Sequence, residues 1–127
     1  MVTLILLSHS PKVVEGVRDL ALEMAPGAAI VPVGGSAAGT LGSDYDRVFA
    51  ALEAAASQGE ALVLADMGSA KMTGEMAREA LPSELQERVF LCDAALVEGG
   101  LAAAVAIAGG CGAKAVIDSL EDYILDK

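Results

Sequence analysis

The chain has 127 residues, 54% of them hydrophobic but only 3% aromatic, and its 18 acidic against 8 basic side chains give a formal net charge of −10. A domain of this size buries roughly 65–70% of the surface its unfolded chain exposes, so one aliphatic core can hold it without disulfide or metal staples, and the apolar content excludes intrinsic disorder. The eight basic residues are scattered from Lys12 to Lys127, which excludes the basic stripe a nucleic-acid partner requires.

Short aliphatic runs alternate with longer amphipathic ones, a pattern that predicts parallel strands joined by crossover helices. Val2–Leu7 is continuously apolar and suits a strand buried on both faces. Met1–Leu7 lacks the cationic start and cleavage site of a secretory signal, so a cytoplasmic location is expected. Ser10 and Pro11 then supply a capping hydroxyl and a first-turn proline. Val13, Val14, Val17, Leu20, Ala21 and Met24 recur at helical spacing until Pro26-Gly27 stops the element. Ala28–Val33 reads as a second strand and Gly34–Gly42 (GGSAAGTLG) as a flexible loop. These segments lie in the longest uncharged stretch, Met24–Ser43; it has the length of a membrane span, but Pro26, Pro32 and several glycines break it.

Ser43 and Asp46 resemble a capping box opening a helix whose inner stripe is Val48, Phe49, Leu52 and Ala56. Ala61–Ala65 is the third strand and ends at Asp66; Ser69 is expected to cap a helix that carries Met72 and Met76 into the core and stops near Pro82. Val89–Cys92 is a short fourth strand. Leu96–Ala108 is a helix rich in Gly and Ala, and the apolar face from Gly99 to Gly110 suits either close core packing or a homodimer. Val116, Leu120, Tyr123 and Ile124 mark a final amphipathic helix. Cys92 and Cys111 fit no metal spacing and are expected to be reduced structural thiols; with a single histidine in the chain, no metal site is expected. Residues 1–127 therefore read as one domain of the α/β class, an open doubly wound, mostly parallel sheet of four to five strands with helices on both faces.

In such sheets the ligand site lies beyond the carboxyl ends of the strands. The first strand ends in Ser8-His9-Ser10, the second in Gly34-Gly35 and the third in Asp66-Met67-Gly68-Ser69, so the only histidine falls where function is expected. A neutral imidazole just before a capped helix is a nucleophile beside an anion-binding helix end, the two requirements for carrying a phosphoryl group on nitrogen. An Asp66 hydrogen bond to one ring nitrogen would fix the tautomer and leave the other free to attack. Ser10, Ser69 and backbone of the glycine loop at Gly35 and Gly42 are the candidate phosphate ligands. The loop has neither the GxGxxG register, since Ser36 takes the second glycine position, nor a Walker lysine, so no nucleotide site of its own is expected. A receiver domain phosphorylated on Asp66 is disfavoured because Ser8 and His9 stand where the acidic pair holding Mg²⁺ would be. A non-catalytic binding module is the remaining rival from another class.

LILLSHSPKVVEGVRDLA (Leu4–Ala21), LGSD (Leu41–Asp44), DMGSA (Asp66–Ala70) and LVEG (Leu96–Gly99) occur in the order of a known family. The chain resembles the phosphotransfer subunits of phosphoenolpyruvate-dependent dihydroxyacetone kinases, whose domain is similar to the mannose-type enzyme IIA of the sugar phosphotransferase system. The chain departs from the family pattern at Ser43, where Thr is commoner, and at Ala95, where Pro usually precedes LVEG. The resemblance implies that His9 is phosphorylated and that Asp66 is its carboxylate partner. It further implies the phosphocarrier HPr as donor and, as acceptor, ADP held on a kinase subunit that phosphorylates dihydroxyacetone bound to a third subunit. Mg²⁺ and ADP or ATP are then expected on that partner, with no cofactor on this chain, and a homodimer is expected from the relatives. An enzyme IIA domain of a sugar transporter is the alternative with the same chemistry.

Overall fold

Four apolar runs become the strands β1 (Val2–Ser8), β2 (Ala29–Gly34), β3 (Glu60–Ala65) and β4 (Val89–Cys92) of one sheet in the computed structural model, which describes residues 1–127. All neighbours are parallel, in the order β2-β1-β3-β4. The helices α1 (Pro11–Met24), α2 (Tyr45–Gln58), α3 (Ser69–Glu79), α4 (Ser83–Gln86), α5 (Leu96–Ala108) and α6 (Ala113–Asp118) connect or follow them, and a 3₁₀ turn covers Glu121–Tyr123.

The alternation of side chains along a strand distributes β1 between two cores. Leu4 and Leu6 join one core with Val14, Val17 and Ala21 of α1, Ala103, Ala104 and Ile107 of α5 and Val116 of α6. Ile5 and Leu7 join the other, with Val48 and Leu52 of α2 and Ala70 and Ala77 of α3. All four side chains are essentially inaccessible, and each contributes about 1.5–3 kcal/mol by leaving water. The chain therefore winds its helices onto both faces, as the alternation predicts, and the strand order turns back between β1 and β3, the switch point where open α/β sheets bind ligands.

Local differences from the sequence reading have physical causes. Asp44, one residue beyond Ser43, caps α2 by accepting the Arg47 amide at 3.3 Å. The buried face of α3 is Ala70, Gly74 and Ala77, whereas Met72 and Met76 are 60% and 58% exposed and lie outside the core. Gly74 explains the choice: a Cβ there would sit 3.1 Å from Leu7 Cδ1, so α3 approaches the sheet on its small residues. On α1, Val14, Val17 and Ala21 are buried, while Val13, Leu20 and Met24 are exposed. The small residues of α5 are likewise used inside the domain: a Cβ on Gly99 would meet Ala94 Cβ at 2.8 Å and one on Gly100 would meet Val17 Cγ1 at 3.1 Å. The expected final helix stops at Asp118, because residues 123–125 pair with the chain after β4. Ala95 N donates to Tyr123 O and Leu125 N to Asp93 O, both at 2.8 Å. Cys92 is buried, and burial pushes its thiol pKa up; Cys111 is exposed, so it is not the structural thiol expected.

Pro32 occupies the edge strand β2 without loss to the ladder. Gly35 N donates to Ser8 O, so the alternate residues Val33 and Val31 face β1 and the proline nitrogen faces outward. No helix is long and apolar enough to cross a membrane.

Candidate functional site

The site is built where β1 and β3 run out side by side. Leu7 is in register with Ala65, and the Asp66 amide donates to Leu7 O at 3.0 Å, which sets Asp66 beside Ser8 and His9. Its carboxylate then collects donors from the opposite strand. Ser8 Oγ donates to Oδ2 at 2.7 Å and the His9 amide donates to the same oxygen at 3.1 Å. The Met67 amide donates to Oδ1 at 2.8 Å. His9 Nδ1 lies 3.2 Å from Oδ1 and 3.3 Å from Oδ2.

These contacts set the charge of the pair. Burial pushes the Asp66 carboxyl up, but the hydrogen bonds from Ser8, the His9 and Met67 amides and the His9 ring outweigh it and hold the group below its ordinary value. An ionised acceptor at Nδ1 requires a proton on that nitrogen, which makes Nε2 the nitrogen that carries the lone pair. Nε2 is hydrogen-bonded to the Ser69 hydroxyl, and the ring remains partly open, with 35% of the His9 side chain exposed.

Ser69 does not take the cap role expected of it. It is the first residue of α3, and its hydroxyl makes no capping bond; it is turned to the imidazole. Gly68 precedes it at φ +49° and ψ −113°, a left-handed backbone that favours glycine and turns the chain so that α3 starts at the histidine. The amides of Gly68 and Ser69 have no acceptor within the protein, so a helix N-terminus with free N–H groups stands next to Nε2.

The other expected phosphate ligands lie nearby but are differently engaged. Ser10 Oγ caps α1 by accepting the Val13 amide at 3.4 Å, and its own proton stays available. The Gly35 and Gly42 amides donate to Ser8 O and His9 O at 3.1 and 2.9 Å. Those bonds fold the glycine loop against the histidine segment. Arg47 Nη1 closes the loop from the other side by donating to the carbonyls of Gly34, Gly35 and Ser36 at 3.1–3.3 Å. Lys12 is exposed and forms no ion pair. None of the surface depressions is lined by His9; the largest, about 400 Å³, lies between α3 and β4.

Ser8 is the site residue that sequence reasoning overlooked. It is 5% exposed, the one buried polar residue, and bridges the site by donating to Asp66 and accepting the Ser10 amide at 3.0 Å. Nothing in the sequence separates this hydroxyl from that of an ordinary loop serine.

Residues 3–117 match the family model EIIA-man, described as PTS system fructose IIA component. A phosphoryl donor subunit DhaM of PEP-dependent dihydroxyacetone kinase from Escherichia coli is 40% identical over 92% of the chain, which spans 26% of that relative. A DhaM of PEP-dependent dihydroxyacetone kinase 2 from Listeria innocua is 34% identical over 83% of the chain and 85% of the relative. The crystal structure of an unknown-function protein, EF1359, superposes with a TM-score of 0.88 at 30% identity, covering 98% of this chain and 96% of the other. The chain thus spans about a quarter of the longer curated relatives and most of the shorter ones. With the family model covering both strands that carry the site, and a shorter relative matched along most of its length, the chain belongs to the EIIA-man family and, within it, to the DhaM phosphoryl donor subunits.

Proposed function

We propose that the chain is a phosphohistidine carrier that takes a phosphoryl group from phosphorylated HPr on His9 and passes it to ADP held by the kinase subunit of a dihydroxyacetone kinase. The observation that carries the reading is the pairing of His9 Nδ1 with the Asp66 carboxylate while Nε2 faces Ser69 and the start of α3. The Nε2 lone pair forms the new N–P bond as the N–P bond to the donor imidazole breaks, and the released electron pair stays on the donor nitrogen. Asp66, held ionised, offsets the positive charge that develops on the His9 ring. The Ser69 hydroxyl and the Gly68 and Ser69 amides are placed to meet the phosphoryl oxygens, which is the positioning and charge stabilisation such transfers need. Ser10 is the further ligand within the same edge. In the second half the same bond breaks toward the terminal phosphate oxygen of ADP.

Nucleotide and Mg²⁺ belong to the partner in this reading. The glycine-loop amides of Gly35, Ser36, Gly39 and Gly42 donate to the chain's own carbonyls, which leaves the loop no cradle of its own for a nucleotide. A half-open ring at the rim of the sheet suits a phosphoryl group delivered by another protein in the cytoplasm. The names of the relatives favour the dihydroxyacetone kinase acceptor; the description of the family model favours a sugar-transport acceptor as the second reading. Incubating the phosphorylated chain with each acceptor separates the two.

Incubation with phosphorylated HPr is expected to add one phosphoryl group, labile in acid and stable in base, located on His9 by mass spectrometry and absent from His9→Ala. A base-labile adduct on Asp66 would overturn the scheme.

A further inference from the structure

Residues 123–125 run antiparallel to 93–95 and bring Lys127 to the edge of the sheet that holds the histidine. Residues 121–126 are exposed, but Lys127 is half-buried. Its Nζ donates to Ala65 O at 2.6 Å and to Ala94 O at 2.7 Å, joining the end of β3 to the segment after β4. Lys71 Nζ supports the arrangement by donating to Lys127 O at 3.3 Å and to Asp93 Oδ2 at 3.2 Å. Partial burial pushes the Lys127 ammonium pKa down, and the nearby Asp93 counteracts this.

The carbonyl of Ala65 belongs to the same peptide unit as the Asp66 N–H. That unit is gripped from both sides: the N–H by Leu7 O on β1, the C=O by the ammonium. A rotation of this peptide would swing the Asp66 carboxylate relative to His9 Nδ1, and contacts of 3.2–3.3 Å leave little room before the bond is lost. The Lys127 ammonium also brings positive charge close to a site that receives an anion, in a chain of net charge −10.

We propose that Lys127 is a positioning residue for phosphoryl uptake, holding the Ala65–Asp66 peptide so that Asp66 stays aligned with His9. The inference rests on the phosphohistidine reading for its kinetic consequence, and its geometric part has a separate readout. The test uses the full chain with Lys127→Met, which keeps an apolar stem, and Lys127→Arg, which keeps the donors. With phosphorylated HPr as donor, Lys127→Met is expected to lower the maximal single-turnover rate about 10-fold, with the half-saturating donor concentration unchanged. The Asp66 carboxyl, followed by ¹³C NMR, is expected to titrate at higher pH in Lys127→Met, and Lys127→Arg to restore both quantities most of the way.

Wild-type uptake and an unmoved Asp66 titration in Lys127→Met would overturn the proposal. So would a lower melting temperature with both quantities unchanged, which would make the lysine a clamp and no more. A slower rate with an unmoved Asp66 titration would overturn it as well, since the lysine would then act elsewhere. The carboxyl titration needs no phosphoryl donor, so it judges Lys127 independently of HPr, whereas the His9→Ala comparison judges the carrier reading independently of Lys127.

Discussion

Asp66 is the residue on which the proposed chemistry turns, because it accepts four donors and only one of them is the imidazole. Asp66→Asn keeps the shape but removes the charge and the strict acceptor character, so either tautomer of His9 becomes available. Phosphoryl uptake from HPr is expected to fall roughly 10²-fold or more in stopped-flow quench, with His9 still the residue modified. The pH dependence has a defined sign. The folded-state carboxyl lies below its ordinary value, so its stabilising effect is complete above that ordinary value and is lost as pH falls through the depressed one. The stability difference between wild type and Asp66→Asn, from denaturant titrations, should stay flat down to about pH 5 and shrink only below about pH 4. The His9–Asp66 pair was legible in the sequence because both residues end apolar runs, where an open α/β sheet opens its binding edge. Ser8 was not legible: a serine after the apolar run Leu4–Leu7 reads as the first loop residue, and only the register of β1 with β3 turns its hydroxyl into a donor for Asp66.

At the scale of elements, the close approach of β2 to the start of α1 fixes where the histidine segment goes. A Cβ on Gly34 would lie 2.6 Å from Ser10 O and 2.8 Å from Pro11 Cα, both backbone atoms that cannot turn aside. Gly34→Ala is therefore expected to cost about 1–3 kcal/mol in urea unfolding and to slow uptake by displacing the segment that carries His9. Strands and long helices were legible because their periodicity is intrinsic; the differences arose where tertiary packing chose between near-equal local options. Large apolar side chains on α3 pointed to a methionine face, yet Ala70, Gly74 and Ala77 form the buried one because they allow the helix to come close. Ser43 and Asp44 are both good caps, and hydropathy patterning cannot separate positions one residue apart. The last amphipathic stretch had helical spacing, but its backbone pairs with residues 93–95. Ala95 makes this possible: its N–H donates to Tyr123 O, a bond that a proline at this position could not form.

For the whole molecule, the formal net charge is −10, and the proposed role adds one more anionic group. In the proposed relay, charge steering favours partners with basic docking surfaces, and such attraction is screened over about 10 Å at 0.1 M salt. The second-order rate constant for uptake from phosphorylated HPr is expected to fall several-fold between about 0.05 and 0.5 M NaCl, while the rate at saturating donor changes little; equal rates at both salt concentrations would exclude charge steering. The doubly wound architecture itself was legible because alternating runs leave few other ways to bury five helices' worth of aliphatic surface on one sheet. The two rims of that sheet are not equivalent. Along β2, Pro32 turns a nitrogen without hydrogen toward solvent, whereas the outer rim of β4 has no proline and exposes Leu91. A strand approaching the β2 flank meets no donor at Pro32, and one approaching β4 finds the Val89 carbonyl already taken by Arg78 Nε, so each rim discourages lengthening of the sheet in its own way.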